Sequence, residues 1–102
     1  MAKHWTLADM RVCNRARGMH WFDHGTMKFF ASRVEPGVYQ GPGGIFFVSS
    51  EQFVGSEVTL PRKYSVRRFN PRKCTVNTAG EFQEYAGKFA AREAAKRLAR
   101  GG

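Results

Sequence analysis

The chain has 102 residues, with 17 Lys and Arg against 8 Asp and Glu, a formal net charge of +9, and nine Phe, three Tyr and two Trp. This length supports one hydrophobic core and excludes two comfortable domains, and the aromatic content argues against disorder. Eleven of the cations lie between Pro61 and Gly102, opposed only by Glu81, Glu84 and Glu93, so that segment carries +8 and the first sixty residues +1. Such a balance favours a polyanionic partner and excludes mimicry of DNA, which demands an acidic surface.

Thr6 followed by Asp9 resembles a capping box, and Leu7 to Arg17 holds good helix formers until Gly18 supplies a C-cap. A first helix is expected there, with a weak apolar arc of Ala8, Val12, Cys13 and Ala16 that assigns it to the surface of the fold. Asp23 reads as the N-cap of a short second helix from about His24 to Ala31, with Phe22 and Met27 at the two positions of a hydrophobic staple.

From Ser32 the texture changes to short β-prone runs between turn residues. Arg33 to Gln40 and Ile45 to Ser50 flank Gly41-Pro42-Gly43-Gly44, and Lys63 to Phe69 and Cys74 to Phe82 flank Asn70-Pro71-Arg72-Lys73. Two successive hairpins predict a four-stranded antiparallel meander. The link from Glu51 to Pro61 holds Phe53, expected beneath the sheet. Lys88 to Arg100 reads as a helix whose small stripe, Ala90, Ala91, Ala94, Ala95 and Leu98, packs close on the sheet. The fold class is α+β in a single domain, 1–102: N-terminal helical segments, a four-stranded meander and a C-terminal helix on the sheet.

No stretch approaches the roughly 18 apolar residues of a membrane helix, and Met1 to Arg17 lacks the apolar run of about 7 to 15 residues of a secretory signal. The expectation is a soluble, cytoplasmic protein without membrane contact, in which Cys13 and Cys74 are free thiols.

Trp21-Phe22-Asp23 and Thr26-Met27-Lys28-Phe29-Phe30-Ala31-Ser32-Arg33-Val34 resemble a signature of small phage and prophage proteins that share a domain of unknown function. Further matches are Ser50-Glu51-Gln52-Phe53, Tyr64-Ser65-Val66-Arg67-Arg68-Phe69-Asn70-Pro71, and Gly80-Glu81-Phe82 before an Ala/Lys/Arg-rich helix. Where similar proteins look acidic or Gly-rich after the Asn-Pro, this chain has Arg72 and Lys73. The resemblance implies a phage accessory protein in the host cytoplasm that binds and blocks a host machine, a class that includes inhibitors of defence systems such as CRISPR-Cas.

No acidic residue occurs between Val58 and Gly80. The candidate binding surface is therefore the second hairpin, Arg62, Lys63, Arg67, Arg68, Arg72 and Lys73, with Arg92, Lys96, Arg97 and Arg100 of the last helix. Guanidinium groups pair with phosphate in a bidentate fork, so the partner indicated is nucleic acid, a host nucleoprotein complex or an acidic host protein surface. No RNA-recognition, KH, zinc-finger or helix-turn-helix signature accompanies the charge, and specific base readout is not expected. On a strand, Lys63, Ser65, Arg67 and Phe69 share one face while Tyr64, Val66 and Arg68 share the other.

Other constellations carry less. His20, Asp23 and His24 lack the spacing of a metal site even with Cys13 or His4 added, so neither metal nor cofactor is expected. Cys74 with His20 forms no nucleophile–base motif, the acids are scattered, and no enzyme activity is indicated. Gly41-Pro42-Gly43-Gly44 leads into a strand, which excludes a phosphate-binding P-loop. Phe46 and Phe47 point to opposite faces, and whichever lies outward needs cover from the N-terminal helices or a partner. The alternative reading follows from that: a protein-interaction module, homodimeric or docked on a host protein, whose charge serves solubility.

Overall fold

The computed structural model describes residues 4–23, 31–53, 55 and 57–101. Among these residues it has an α+β architecture of two helices and a five-stranded antiparallel sheet, in the order α1 (Leu7–Ala16), β1 (Arg33–Val34), β2 (Tyr39–Gly41), β3 (Gly44–Glu51), β4 (Lys63–Asn70), β5 (Thr75–Thr78) and α2 (Lys88–Ala99). The second helix expected from His24 lies outside the described residues.

At the start of α1 the Asp9 amide donates to Thr6 Oγ1 and the Thr6 amide to Asp9 Oδ2, both at 3.1 Å. Its end is a Schellman turn: Gly18, at φ +76°, donates to the Arg15 carbonyl and Met19 to that of Asn14. The expected inward arc is corrected, because Ala8, Val12 and Ala16 are exposed. The helix instead turns Met10 and Asn14 fully inward, with Leu7 and Cys13 beside them. Asn14 is tolerated there because both ends of its amide are satisfied, Nδ2 by the Cys74 carbonyl at 2.9 Å and Oδ1 by the Trp21 amide at 3.0 Å.

The meander gains a strand because the run from Arg33 to Gln40 is broken. Four residues, Glu35 to Val38, separate Val34 from Tyr39, while two, Phe47 and Val48, separate their partners Ser49 and Phe46. Two residues are therefore in excess, and Pro36-Gly37, with Gly37 at φ +116°, takes them up as a bulge. β1 and β2 consequently flank the same edge of β3, whose other edge pairs with β4 and through it with β5.

Both faces of the sheet are covered, which disposes of an outward Phe46 or Phe47. Phe46, Val48 and Val66 lie under α2, packed against Ala91, Ala94, Ala95 and Ala99. Ala90, expected inward, is exposed. On the opposite face Ile45, Phe47 and Phe69 meet Met10, Phe22 and Cys74, with Trp5 and Trp21 at the margin. Phe47 is fully buried against Trp21 and Phe22, with ring centroids at 5.6 and 6.0 Å, and each such side chain contributes about 1.5–3 kcal/mol. Phe53 is not beneath the sheet; it is half exposed in a reversal closed by the Leu60 amide on the Phe53 carbonyl at 3.0 Å.

Cys13 and Cys74 form a disulfide, against the expectation of free thiols. The last turn of α1 and the foot of the β4–β5 turn bring their Cα atoms to 5.4 Å, within the span of such a bond. Closing a loop of about 60 residues stabilises the fold by about 4 kcal/mol on chain-entropy grounds.

Candidate functional site

β3 begins at Gly44 and β4 ends at Asn70, so the β2–β3 and β4–β5 hairpins turn at the same end of the sheet. The Gly43 amide donates to the Ala99 carbonyl at 2.9 Å, which draws the C-terminus of α2 to that end. The C-terminus of α1 arrives there too, since Arg17 Nη2 donates to the Arg72 carbonyl at 3.1 Å and Asn14 to that of Cys74. The turn itself is local: Asn70 Oδ1 accepts from the amides of Arg72 and Lys73 at 2.9 and 3.2 Å, an Asx turn that leaves both side chains in solvent.

Three clefts open at this end, of about 510, 430 and 390 Å³. Arg68 lines the first two, joined by Arg72 in the second; Lys96 and Arg100 line the third. Among the described residues no Asp or Glu lines any of them. Among the described residues Arg68, Arg72, Lys73 and Arg100 make no ion pair, while Lys96 meets Glu93 at 3.5 Å. Four of the eight carboxylates, Glu51, Glu57, Glu81 and Glu84, lie toward the opposite end, where β3 runs into the 52–62 link and β5 into the 79–84 loop. Cations at two helix C-termini also complement the helix dipoles.

The predicted site residues therefore separate. Arg68, Arg72, Lys73, Lys96 and Arg100 come together at the hairpin end, and Arg17, missed by the sequence reading, joins them. Lys63 stands opposite Glu51 at the far end, where Arg62 donates to Ser50 Oγ at 2.9 Å. Arg92 is half-buried on α2, its Nε without a hydrogen-bond partner among the described residues. Arg97 is turned toward Tyr85, whose phenol is pushed up by burial and further by Glu84, with Arg97 opposing.

Arg67 is removed from the exposed set altogether. Its side chain is 11% exposed, its guanidinium sits 5.5 Å from the Trp21 ring centroid and 5.4 Å from that of Phe82, and Nε donates to Ser49 Oγ at 2.9 Å. Nη1 donates to Thr78 Oγ1, and Nη2 lies 3.5 Å from the Glu51 carboxylate. Glu51 is itself buried and accepts from Ser65 Oγ at 2.8 Å. Burial pushes the Arg67 guanidinium down and the Glu51 carboxylate opposes that shift. The guanidinium thus joins Ser49 and Glu51 of β3 to Thr78 of β5 and acts as a polar clasp across β3, β4 and β5.

The histidine-rich segment is likewise engaged. Arg15 Nε donates to Asp23 Oδ1 at 2.9 Å and His20 Nδ1 lies 2.8 Å from Oδ2. Arg15, and after it His20, hold the Asp23 carboxyl below the usual carboxylate range. The disulfide excludes Cys74 as a nucleophile for His20 in this state, and His24 lies outside the described residues. Among the described residues no group of three or more His, Cys, Asp or Glu is placed to hold a metal ion, and no helix is long and apolar enough to cross a membrane.

Comparison with curated proteins and with solved structures finds no match. Residues 6–96, which span α1, the five strands and most of α2, match one family, and the chain belongs to it: the DUF7447 family of unknown function.

Proposed function

We propose that this chain is a non-catalytic, phage-type accessory protein that engages nucleic acid, free or within a host nucleoprotein complex, through the basic hairpin end, and so inhibits a host machine such as a CRISPR-Cas defence system. The observation that carries the reading is a set of exposed cations, Arg68, Arg72, Lys73 and Arg100, that make no ion pair among the described residues, around clefts that no described Asp or Glu lines. Fixed cations without internal counter-charges attract phosphate and release its counterions on contact. The resemblance to small phage proteins supports the inhibitory context.

Among the described residues the clefts carry no exposed Phe, Tyr or Trp ring: Phe69 is buried, and Tyr39 in the third cleft is half-buried with Lys96 6.0 Å from its ring centroid. The exposed large apolar residues Val12, Phe53, Val58, Leu60, Phe82 and Phe89 line none of the three clefts, and Phe46, which lines one, is 3% exposed beneath Arg68. Contact through phosphate alone favours a duplex, whose charge density is higher, over a single strand that would be held by base stacking. Fluorescence anisotropy of a labelled 20-base-pair duplex and its single strand tests this. A duplex Kd below about 1 μM near physiological salt, tighter than ordinary non-specific binding, is expected; absence of binding to both would overturn it.

A second reading, a protein-docking or homodimeric module, is favoured by one specific feature. Phe53, Val58 and Leu60 are 51%, 58% and 50% exposed on the short reversal that also holds the Gly55 amide on the Val58 carbonyl at 2.7 Å. Apolar association is not weakened by screening. If this reversal is the working surface, light scattering gives a concentration-dependent mass that persists in about 1 M salt, beyond the reach of ionic contacts; a monomer mass throughout removes it.

A further inference from the structure

Three ties join the last turn of α1 to the β4–β5 turn: the Cys13–Cys74 disulfide, Asn14 Nδ2 on the Cys74 carbonyl at 2.9 Å, and Arg17 Nη2 on the Arg72 carbonyl at 3.1 Å. They run from positions 13 and 14 in the last turn of α1 and its C-cap, residue 17, to residues 74 and 72 on the turn. One tie is covalent and reversible. The residues it fixes, Arg17, Arg72 and Lys73, are three of the cations of the basic end.

The turn carries a conformation that needs holding. Cys74 stands at φ +58°, a region that residues with a β-carbon seldom occupy, and it is followed at once by β5, which pairs through Thr75 with Asn70. On the helix side α1 packs through Leu7, Met10, Cys13 and Asn14, and Arg15 reaches Asp23 at 2.9 Å. A helix of ten residues is marginal in isolation, so α1 depends on these attachments.

We infer that the Cys13–Cys74 disulfide is a redox latch that sets whether Arg17 is presented beside Arg72 and Lys73, and thereby regulates the basic end. This rests on the reading of that end as a nucleic-acid contact. The step balances with a small dithiol as reductant. Its thiolate attacks Sγ of Cys13, the less buried sulfur residue; the bond to Cys74 Sγ breaks, and Cys74 takes up a proton within its apolar surroundings. The second thiol of the reductant then displaces Cys13, which is protonated in turn. The protein gains two thiols and the dithiol closes to a disulfide. Loss of the covalent tie leaves two hydrogen bonds between α1 and the β4–β5 turn, one of them exposed, while Met10 and the Asn14–Trp21 bond keep the helix on the core; the end of the helix is thereby loosened against the turn.

The test uses the full chain in its disulfide-bonded form, after reduction with dithiothreitol, and as Cys13→Ser/Cys74→Ser. Amide hydrogen exchange reports the latch itself: residues 7–16 and 72–74 are expected to exchange at least about tenfold faster once the bond is gone, while β3 and β4 stay protected. Salt-dependent anisotropy on a 20-base-pair duplex reports its consequence: the slope of log K against log salt falls in magnitude by about one, the share of one phosphate contact. Arg17→Ala in the disulfide-bonded protein serves as the second variant, independent of how well the double variant folds; it reproduces the loss of slope without the change in exchange. Unchanged exchange on reduction overturns the latch. Faster exchange with an unchanged slope overturns its regulatory role. Redox-dependent exchange in a protein that binds no duplex in either form supports the latch and rejects the nucleic-acid reading, so the two failures are distinct.

Discussion

Arg67 shows how one side chain can look like a ligand-binding cation and be a structural one. Its neighbour Arg68 lies on the same strand one residue further, yet is exposed, while Arg67 is clasped by Ser49, Thr78 and Glu51 and lies near the rings of Trp21 and Phe82. Replacing Arg67 by Ala strands the buried Glu51 carboxylate with Ser65 as its remaining side-chain donor, which should cost about 3–5 kcal/mol in urea denaturation. Arg67→Lys keeps the charge but loses the planar fork and should fall between that value and wild type. A loss under about 1 kcal/mol for the Ala variant would show that the clasp is weak, since that is the range of an exposed pair. The alternation along β4 already separates Arg67 from Arg68 in the sequence. It does not say which face closes, because that depends on Trp21 and on a Glu51 sixteen residues away.

Elements whose signals are local were legible, and those that depend on distant contacts were not. The capping box at Thr6, the Gly18 stop and the alanine stripe of α2 are short-range features, and both helices lie within a residue or so of their expected bounds. The strand expected from Arg33 splits because Pro36-Gly37 forces an excess of two residues against β3, a mismatch that exists only once the partner strand is known. The disulfide was not expected, because Cys13 and Cys74 lie in segments of different type and no secretory signal is apparent, and only the fold brings the end of α1 to the β4–β5 turn. The β2–β3 hairpin makes a sharper demand on its glycines. A β-carbon on Gly43 would overlap the Leu98 carbonyl and press on Gly101, backbone that cannot swing aside. Gly43→Ala should therefore cost about 1–3 kcal/mol and release the end of α2, read as faster amide exchange at residues 96–100; wild-type stability and protection would contradict the close approach.

At the scale of the molecule, folding sorts charge that the sequence only lists. The linear run from Arg62 to Lys73 is divided between two ends of the sheet, and Arg17, from a segment of nearly neutral composition, is carried to the basic one. A charge map along the chain therefore named five of the six cations gathered at the hairpin end, together with five others that folding places elsewhere, and missed Arg17. Their gathering depended on the convergence of two hairpins and two helix C-termini, a property of the topology. The most direct test is the salt dependence of duplex binding in three proteins: wild type, Arg68→Ala/Arg72→Ala/Lys73→Ala/Arg100→Ala, and Arg62→Ala/Lys63→Ala at the opposite end. With Arg17, Arg68, Arg72, Lys73 and Arg100 on phosphate, log K against log salt should fall with a slope of about −4 to −5 in wild type and about −1 in the fourfold variant, and the opposite-end variant should match wild type. A fourfold variant that keeps the wild-type slope, or an opposite-end variant that loses it, would contradict the assignment of the hairpin end as the binding surface.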